Sequence, residues 1–143
     1  GLSESTASDA ADAPSSAAQL RILVAEDNAT NQTILRAFLT PLGVDLHIAA
    51  DGRDAVEAYR DGGYDLILMD VQMPVLDGVS ATRAIRELER VNGRPRTPIL
   101  ALSANVMSHQ IKEYEAAGMD GYVPKPVQFD RLLQQIETAL GPA

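Results

Sequence analysis

The chain has 143 residues, a formal net charge of −8 and no cysteine. That length suits one domain, and the missing cysteines exclude disulfides, thiolate metal sites and cysteine nucleophiles. The negative balance argues against nucleic-acid binding, which needs a basic face. No apolar run approaches the roughly 20 residues that span a bilayer, so a cytoplasmic protein without direct membrane contact is expected. Residues 1–19 (GLSESTASDAADAPSSAAQ) hold one large aliphatic residue, Leu2, and no aromatic. They cannot bury enough surface to offset their ordering entropy and read as a disordered linker or terminal extension. They lack the basic start and apolar core of a cleavable secretory signal. Glu4, Asp9 and Asp12 are the charged residues there, so residues 20–143, the expected folded domain, carry −5.

Arg21-Ile22-Leu23-Val24-Ala25 is a continuous apolar strand that runs into Glu26 and Asp27. Ile34, Leu35, Phe38, Leu39 and Leu42 then fall at helical spacing, with Gly43 as the stop and Pro41 tightening or bending the last turn. Asn28 and Asn31 at its start read as caps, and that opening turn offers a docking surface. Asp45 to Ala49 alternates as an edge strand does. Asp51, with Asp54 three residues on, caps a helix through about Arg60, and Gly62-Gly63 ends it. Leu66-Ile67-Leu68-Met69 is too short for a helix face and too continuous for a half-exposed strand. It reads as a strand buried on both faces, with Asp70 at its carboxyl end and a turn at Met73-Pro74.

Asp77-Gly78 opens a helix whose apolar face is Val79, Thr82, Ile85 and Leu88. Arg83, Arg86 and Arg90 share one face of it and read as solvated. Pro98 to Ser103 is a fourth strand, and a helix over about Val106 to Ala117 is stopped by Gly118. Gly121-Tyr122-Val123-Pro124 is a short edge or ending strand, because Pro124 cannot donate to a ladder. Lys125-Pro126 follows, and Phe129, Leu132, Leu133, Ile136 and Leu140 mark the last helix. His47 and His109, the two histidines, read as surface residues. Strands alternating with helices call for a parallel α/β sheet with right-handed crossovers and helices on both faces. The strands ending at Glu26 and Met69 should be central.

Such topology puts every strand's carboxyl end on one side of the sheet, where open α/β sheets place their sites. Glu26 and Asp27, Asp70, Ser103 and Lys125 would gather there. Crowded carboxylates repel, and a divalent cation relieves that; oxygen ligands and several waters suit Mg2+. The lysine can pair with Asp70 or with an anion attached to it. A carboxylate nucleophile, a metal, a cation and a hydroxyl donor make a site for a phosphoryl group. Glu26 also has a bland reading, as a solvated neighbour of Asp27.

From about Leu20 to Leu140 the chain resembles a response-regulator receiver domain. The resemblance rests on Glu26-Asp27, Asp70 with Met73-Pro74 and Asp77-Gly78 after it, Ser103-Ala104, and Tyr122 before Lys125-Pro126. It implies the flavodoxin-like receiver fold with strand order 2-1-3-4-5 and Mg2+-dependent phosphorylation of one aspartate by a phosphohistidine donor. By position, Asp70 would be the phosphoacceptor. Glu26, Asp27, Asp70 and the Gln72 backbone carbonyl would hold Mg2+, Glu26 through water. Lys125 would meet the phosphoryl oxygens, Ser103 would be the switch hydroxyl, and Tyr122 the aromatic that turns inward with it. The Lys125-Pro126 bond would be cis.

The runs Glu26-Asp27-Asn28 with Asn31-Gln32, Met69 to Pro74 and Pro98 to Asn105 are similar to receivers of hybrid sensor histidine kinases. That implies a histidine-phosphotransfer domain or the parent kinase as partner, with residues 1–19 as a tether. A homodimer through the fourth and fifth helices is a further implied contact. The chain ends just past the last helix, so no DNA-binding output domain is expected. Tyr122 has a plainer reading as an edge-strand aromatic packed on the last helix. The competing functions are a stand-alone response regulator, an aspartate-nucleophile phosphatase, a flavodoxin-like binding protein and a receiver that scaffolds without phosphorylation. Gln72 stands where such a phosphatase needs a second acid, and acid after the first strand replaces a flavin phosphate loop.

Overall fold

The structure, a computed structural model, describes residues 19–141; the expected linker over residues 1–19 therefore lies, save Gln19, outside the described residues. Strands and helices alternate as β1 Arg21–Ala25, α1 Ala29–Leu39, β2 Asp45–Ala49, α2 Gly52–Asp61 and β3 Leu66–Asp70. They continue as α3 Gly78–Asn92, β4 Ile99–Ser103, α4 Ser108–Ala117, β5 Gly121–Pro124 and α5 Phe129–Leu140. The sheet is parallel in the order β2-β1-β3-β4-β5, as expected. β3 and β4 are buried at every residue, while β2, at one edge, keeps the alternating exposure of a strand covered on one face. β5 forms the other edge and ends on Pro124, where a missing N–H removes least from the ladder. No helix among the described residues is long and apolar enough to cross a membrane.

The pleat sorts the strand residues into two cores. Leu23, Ala25, Ile67, Met69, Ile99 and Ala101 pack with Ala55, Val56 and Tyr59 of α2, Ala81 and Ile85 of α3, and Tyr114 of α4. Ile22, Val24, Leu66, Leu68, Leu100, Leu102 and Val123 pack on the other face with Leu35 and Leu39 of α1 and Leu132 and Ile136 of α5. The helix starts are capped by short acceptor side chains. Asn28 takes the Asn31 N–H at 3.0 Å, Asp51 that of Asp54 at 2.8 Å, and Asp77 that of Ser80 at 2.8 Å. Pro41 tightens the end of α1 into a 3-10 turn over Thr40–Leu42.

Two expectations change. α4 starts at Ser108 rather than near Val106, because the Asn105 side chain accepts the Met107 N–H at 3.3 Å and holds that stretch in a turn. Arg86 is not solvated with Arg83 and Arg90: its side chain is 14% exposed. Its guanidinium donates to the Gly118 carbonyl at 2.8 Å and the Thr97 carbonyl at 2.8 Å, and it pairs with Glu89 and Asp120, each at 2.9 Å. Asp120 in turn accepts the Ile99 N–H at 2.9 Å. Glu89 accepts from the Tyr59 hydroxyl at 3.0 Å and the Thr97 N–H at 2.8 Å. One arginine thus ties α3 to the start of β4 and to the turn entering β5, at the amino-terminal end of the sheet. Among the described residues Arg90 pairs with Glu87 alone, at the exposed surface.

Replacing Arg86 leaves Glu89 buried without its cation, a loss on the order of 3 kcal/mol. Urea denaturation of Arg86→Met should show a loss of that size, while Arg90→Ala leaves the midpoint where it was. Equal effects from the two variants would contradict the clamp.

Candidate functional site

β1 and β3 are neighbours, with Ala25 opposite Met69, so the residues that follow, Glu26 and Asp70, emerge side by side. The pleat alternation of Ile22 and Val24 extends to Glu26, that of Leu66 and Leu68 to Asp70, and that of Val123 to Lys125. All three side chains therefore leave the sheet toward its α1/α5 face. Glu26 is 0% exposed and Asp70 2%, while Asp27 is exposed at the rim. This reverses the bland expectation for Glu26: it is the buried acid, and Asp27 is the solvated one. Oxygen atoms of Glu26, Asp27 and Asp70 all lie within 4.8 Å of one another.

Lys125 compensates part of this charge. Its ammonium lies 2.9 Å from Asp70 Oδ2 and 3.2 Å from Glu26 Oε1, and the Lys125-Pro126 bond is cis. Asp70 Oδ1 accepts the Gln72 N–H at 3.1 Å, and Glu26 Oε2 accepts the Asn28 N–H at 3.1 Å. The Gln32 side-chain amide donates to the Glu26 carbonyl at 2.6 Å, fixing that backbone against the first turn of α1. Glu26 Oε1, buried, has the Lys125 ammonium beside it at 3.2 Å and no backbone N–H.

Burial pushes the Glu26 carboxyl above the usual carboxylate range; the Asn28 N–H opposes this, and the neighbouring Asp70 charge adds to it. For Lys125 the largest single influence is burial, which disfavours the ammonium. The hydrogen bond and charge of Asp70, with the charge of Glu26, outweigh it and raise the lysine above its ordinary value. Three carboxylates against one ammonium leave an excess of negative charge at hard oxygen donors. Three such oxygen donors within reach of one another, with one lysine shared between Glu26 and Asp70, fit a divalent cation. Backbone packing around Asp70 is close: a Cβ on Gly78 would lie 2.1 Å from the Asp70 carbonyl oxygen, so glycine there lets α3 start directly against the end of β3.

Ser103 and Tyr122 stand apart from this group. Ser103 continues the alternation of Ile99 and Ala101 toward the α2/α3 face, and there its hydroxyl lies 2.8 Å from the Tyr114 hydroxyl and 2.8 Å from the Asn105 carbonyl. Tyr122, half-buried, packs on the α2/α3 core rather than against the last helix, which corrects its plainer reading. Ser103, Asp27 and Gln72 line one cleft of about 820 Å³, with Arg83, Asn105 and Tyr114 on its other walls. Sequence reading missed Tyr114. Its helical spacing shows only that it is buried, and nothing local shows that its hydroxyl meets a strand-end serine.

The loop after Asp70 carries strain. Leu76 N–H donates to the Pro74 carbonyl at 2.7 Å across Val75, whose φ is +69°. That is the rare, strained form of γ-turn, centred on a β-branched residue, and it leaves Val75 73% exposed beside the cleft.

A family model described as the response regulator receiver domain matches residues 22–137. The chain is 41% identical over 125 residues to hybrid signal transduction histidine kinase I of Dictyostelium discoideum, covering 84% of this chain but only 7% of that protein. Among solved structures it is similar to the receiver domain of a sensor histidine kinase from Pseudomonas aeruginosa, with a magnesium ion coordinated in the active-site cleft. That match has a TM-score of 0.78 at 41% identity and covers 87% of this chain and 100% of that one. It is similar too to the receiver domain of the Saccharomyces cerevisiae response regulator Ssk1, solved with the histidine phosphotransfer protein Ypd1. There the TM-score is 0.79 at 34% identity, covering 82% of this chain and 86% of that one.

Asparagine tolerates positive φ where valine does not, so Val75→Asn should raise stability by about 1 kcal/mol in equilibrium denaturation. A loss of stability would show that the Val75 side chain, and not the backbone, sets that turn.

Proposed function

The chain belongs to the response regulator receiver family, and we propose that Asp70 is its phosphoacceptor, taking a phosphoryl group from phosphohistidine on a partner protein. The observation that carries this is the setting of Asp70: a buried carboxylate with one oxygen on Lys125 and the other on the Gln72 amide, beside two further acids. In the transfer, an Asp70 oxygen attacks phosphorus and the P–N bond breaks, its electron pair returning to the imidazole of the donor. Lys125, released from the carboxylate charge it now neutralises, is placed to follow the phosphoryl oxygens. Later attack by water returns Asp70 as a carboxylate and frees inorganic phosphate.

Glu26, Asp27 and Asp70 would hold Mg2+ together with the Gln72 carbonyl, and the excess of carboxylates over the single Lys125 ammonium in this cluster supports this assignment. A magnesium ion there would neutralise charge on the transferring phosphoryl group. Ser103 is the proposed switch hydroxyl, with Tyr122 as the aromatic that follows it. Since the chain spans 7% of the curated Dictyostelium relative, the activity of any larger protein around it is a further proposal, namely that of a hybrid histidine kinase. The yeast complex supports a histidine-phosphotransfer protein as partner. The exposed start of α1, next to Asp27, offers the surface for such a partner to reach Asp70. A phosphatase reading finds no support, because Gln72 cannot protonate a leaving group.

Incubation with acetyl phosphate and Mg2+ should add the mass of one phosphoryl group to the wild type and none to Asp70→Asn. Chelating the metal should abolish the addition. An unchanged wild-type mass, or the same gain in Asp70→Asn, would overturn the assignment.

A further inference from the structure

The Ser103 hydroxyl, 1% exposed, is held by three groups and none of them is at the acidic site. Asn105 N–H donates to it at 2.9 Å, the Tyr114 hydroxyl lies 2.8 Å away, and the Asn105 carbonyl lies 2.8 Å away. Tyr114, 4% exposed, also reaches the Asn105 carbonyl, at 3.0 Å. Two hydroxyl protons therefore serve three contacts among Ser103, Tyr114 and the Asn105 carbonyl. Whichever way they are shared, the one proton of Ser103 is used within this triangle and is not available to a group on Asp70.

From this geometry we propose that Tyr114 is a positioning residue of the phosphoryl site: its hydroxyl holds Ser103 turned away from Asp70, and phosphorylation must break that bond for Ser103 to reach the phosphoryl group. The inference rests on the acceptor reading above and adds what restrains the switch. Tyr114 and Ala117 are the buried residues of α4; Arg86 ties its carboxyl end at the Gly118 carbonyl, while its start has no side-chain cap, so Tyr114 is the buried anchor nearest that start. When Ser103 leaves, Tyr114 keeps only the Asn105 carbonyl as partner. The hold on α4 then loosens on the side that faces the cleft. Ser103, Tyr114 and α4 form one mechanical chain from the acidic site to an exposed helix surface.

The test uses beryllofluoride with Mg2+ as a phosphoryl mimic and compares the affinities of wild type, Tyr114→Phe, Ser103→Ala and the double variant. Phenylalanine keeps the ring in the core and removes only the hydroxyl. Freed of one hydrogen bond in its resting state, Tyr114→Phe should bind roughly 3- to 10-fold more tightly than wild type. In the Ser103→Ala background the same substitution should change nothing, a dependence on Ser103 that a merely structural tyrosine would not show. Equal or weaker binding by Tyr114→Phe, or the same gain without Ser103, overturns the proposal. A second measurement needs no substitution. With isotope-labelled tyrosine, the Tyr114 ring-carbon resonance should shift when beryllofluoride and Mg2+ are added, and an unmoved resonance overturns the proposal too. A wild type that binds no beryllofluoride overturns the acceptor reading and this inference with it. Normal wild-type binding with an unresponsive Tyr114→Phe overturns the restraint alone.

Discussion

Like charges are packed against one another at the carboxyl ends of β1 and β3. Glu26, Asp27 and Asp70 bring oxygens within 4.8 Å of each other, two of the three side chains are buried, and among the described residues Lys125 is the one cation paired with them, at Glu26 and Asp70. Such an arrangement is unfavourable by itself, because each buried carboxylate loses hydration and repels its neighbours. It persists because β1 and β3 are paired in fixed register and buried in the sheet, which leaves the acids no room to separate. The fold therefore holds ready a concentration of negative charge that a cation would relieve, with Asp70, the proposed phosphoacceptor, inside it.

The pleat divides the work between the two faces of the sheet. Glu26, Asp70 and Lys125 follow strand residues that face α1 and α5, whereas Ser103 and Tyr122 follow those that face α2 and α3. The proposed phosphoryl site and the proposed switch residues thus begin on opposite faces and meet only at the strand ends. The helices are held unequally. Arg86 fastens α3 to the entry of β4 and to the Gly118 carbonyl that closes α4, at the far end of the sheet, while the cleft side of α4 rests on Tyr114.

Much of this was legible in the residues. Continuous apolar runs ending in acid marked β1 and β3, and parallel topology required their ends to meet on one side. The order of the strands came from the resemblance of Glu26-Asp27, Asp70 and Lys125-Pro126 to a family pattern, since periodicity alone does not order a sheet. What escaped depended on contacts distant in sequence. Arg86 looked solvated because its spacing from Arg83 and Arg90 is helical, but its partners Gly118 and Asp120 lie 32 and 34 residues away. α4 starts later than the residue pattern suggests because the Asn105 side chain competes for a backbone N–H. The burial of Glu26 follows from strand pairing and could not be read from two adjacent acids.

The central claim is that the three carboxylates form a cation site whose occupation relieves a built-in repulsion. Thermal unfolding of the wild type over a Mg2+ titration, beside Asp27→Asn and a potassium control, tests it most directly. Binding to the folded state alone should raise the wild-type midpoint steadily as Mg2+ passes its dissociation constant, with a smaller rise in Asp27→Asn and none from potassium. A wild-type midpoint that ignores Mg2+, or one that rises equally in Asp27→Asn, would contradict it.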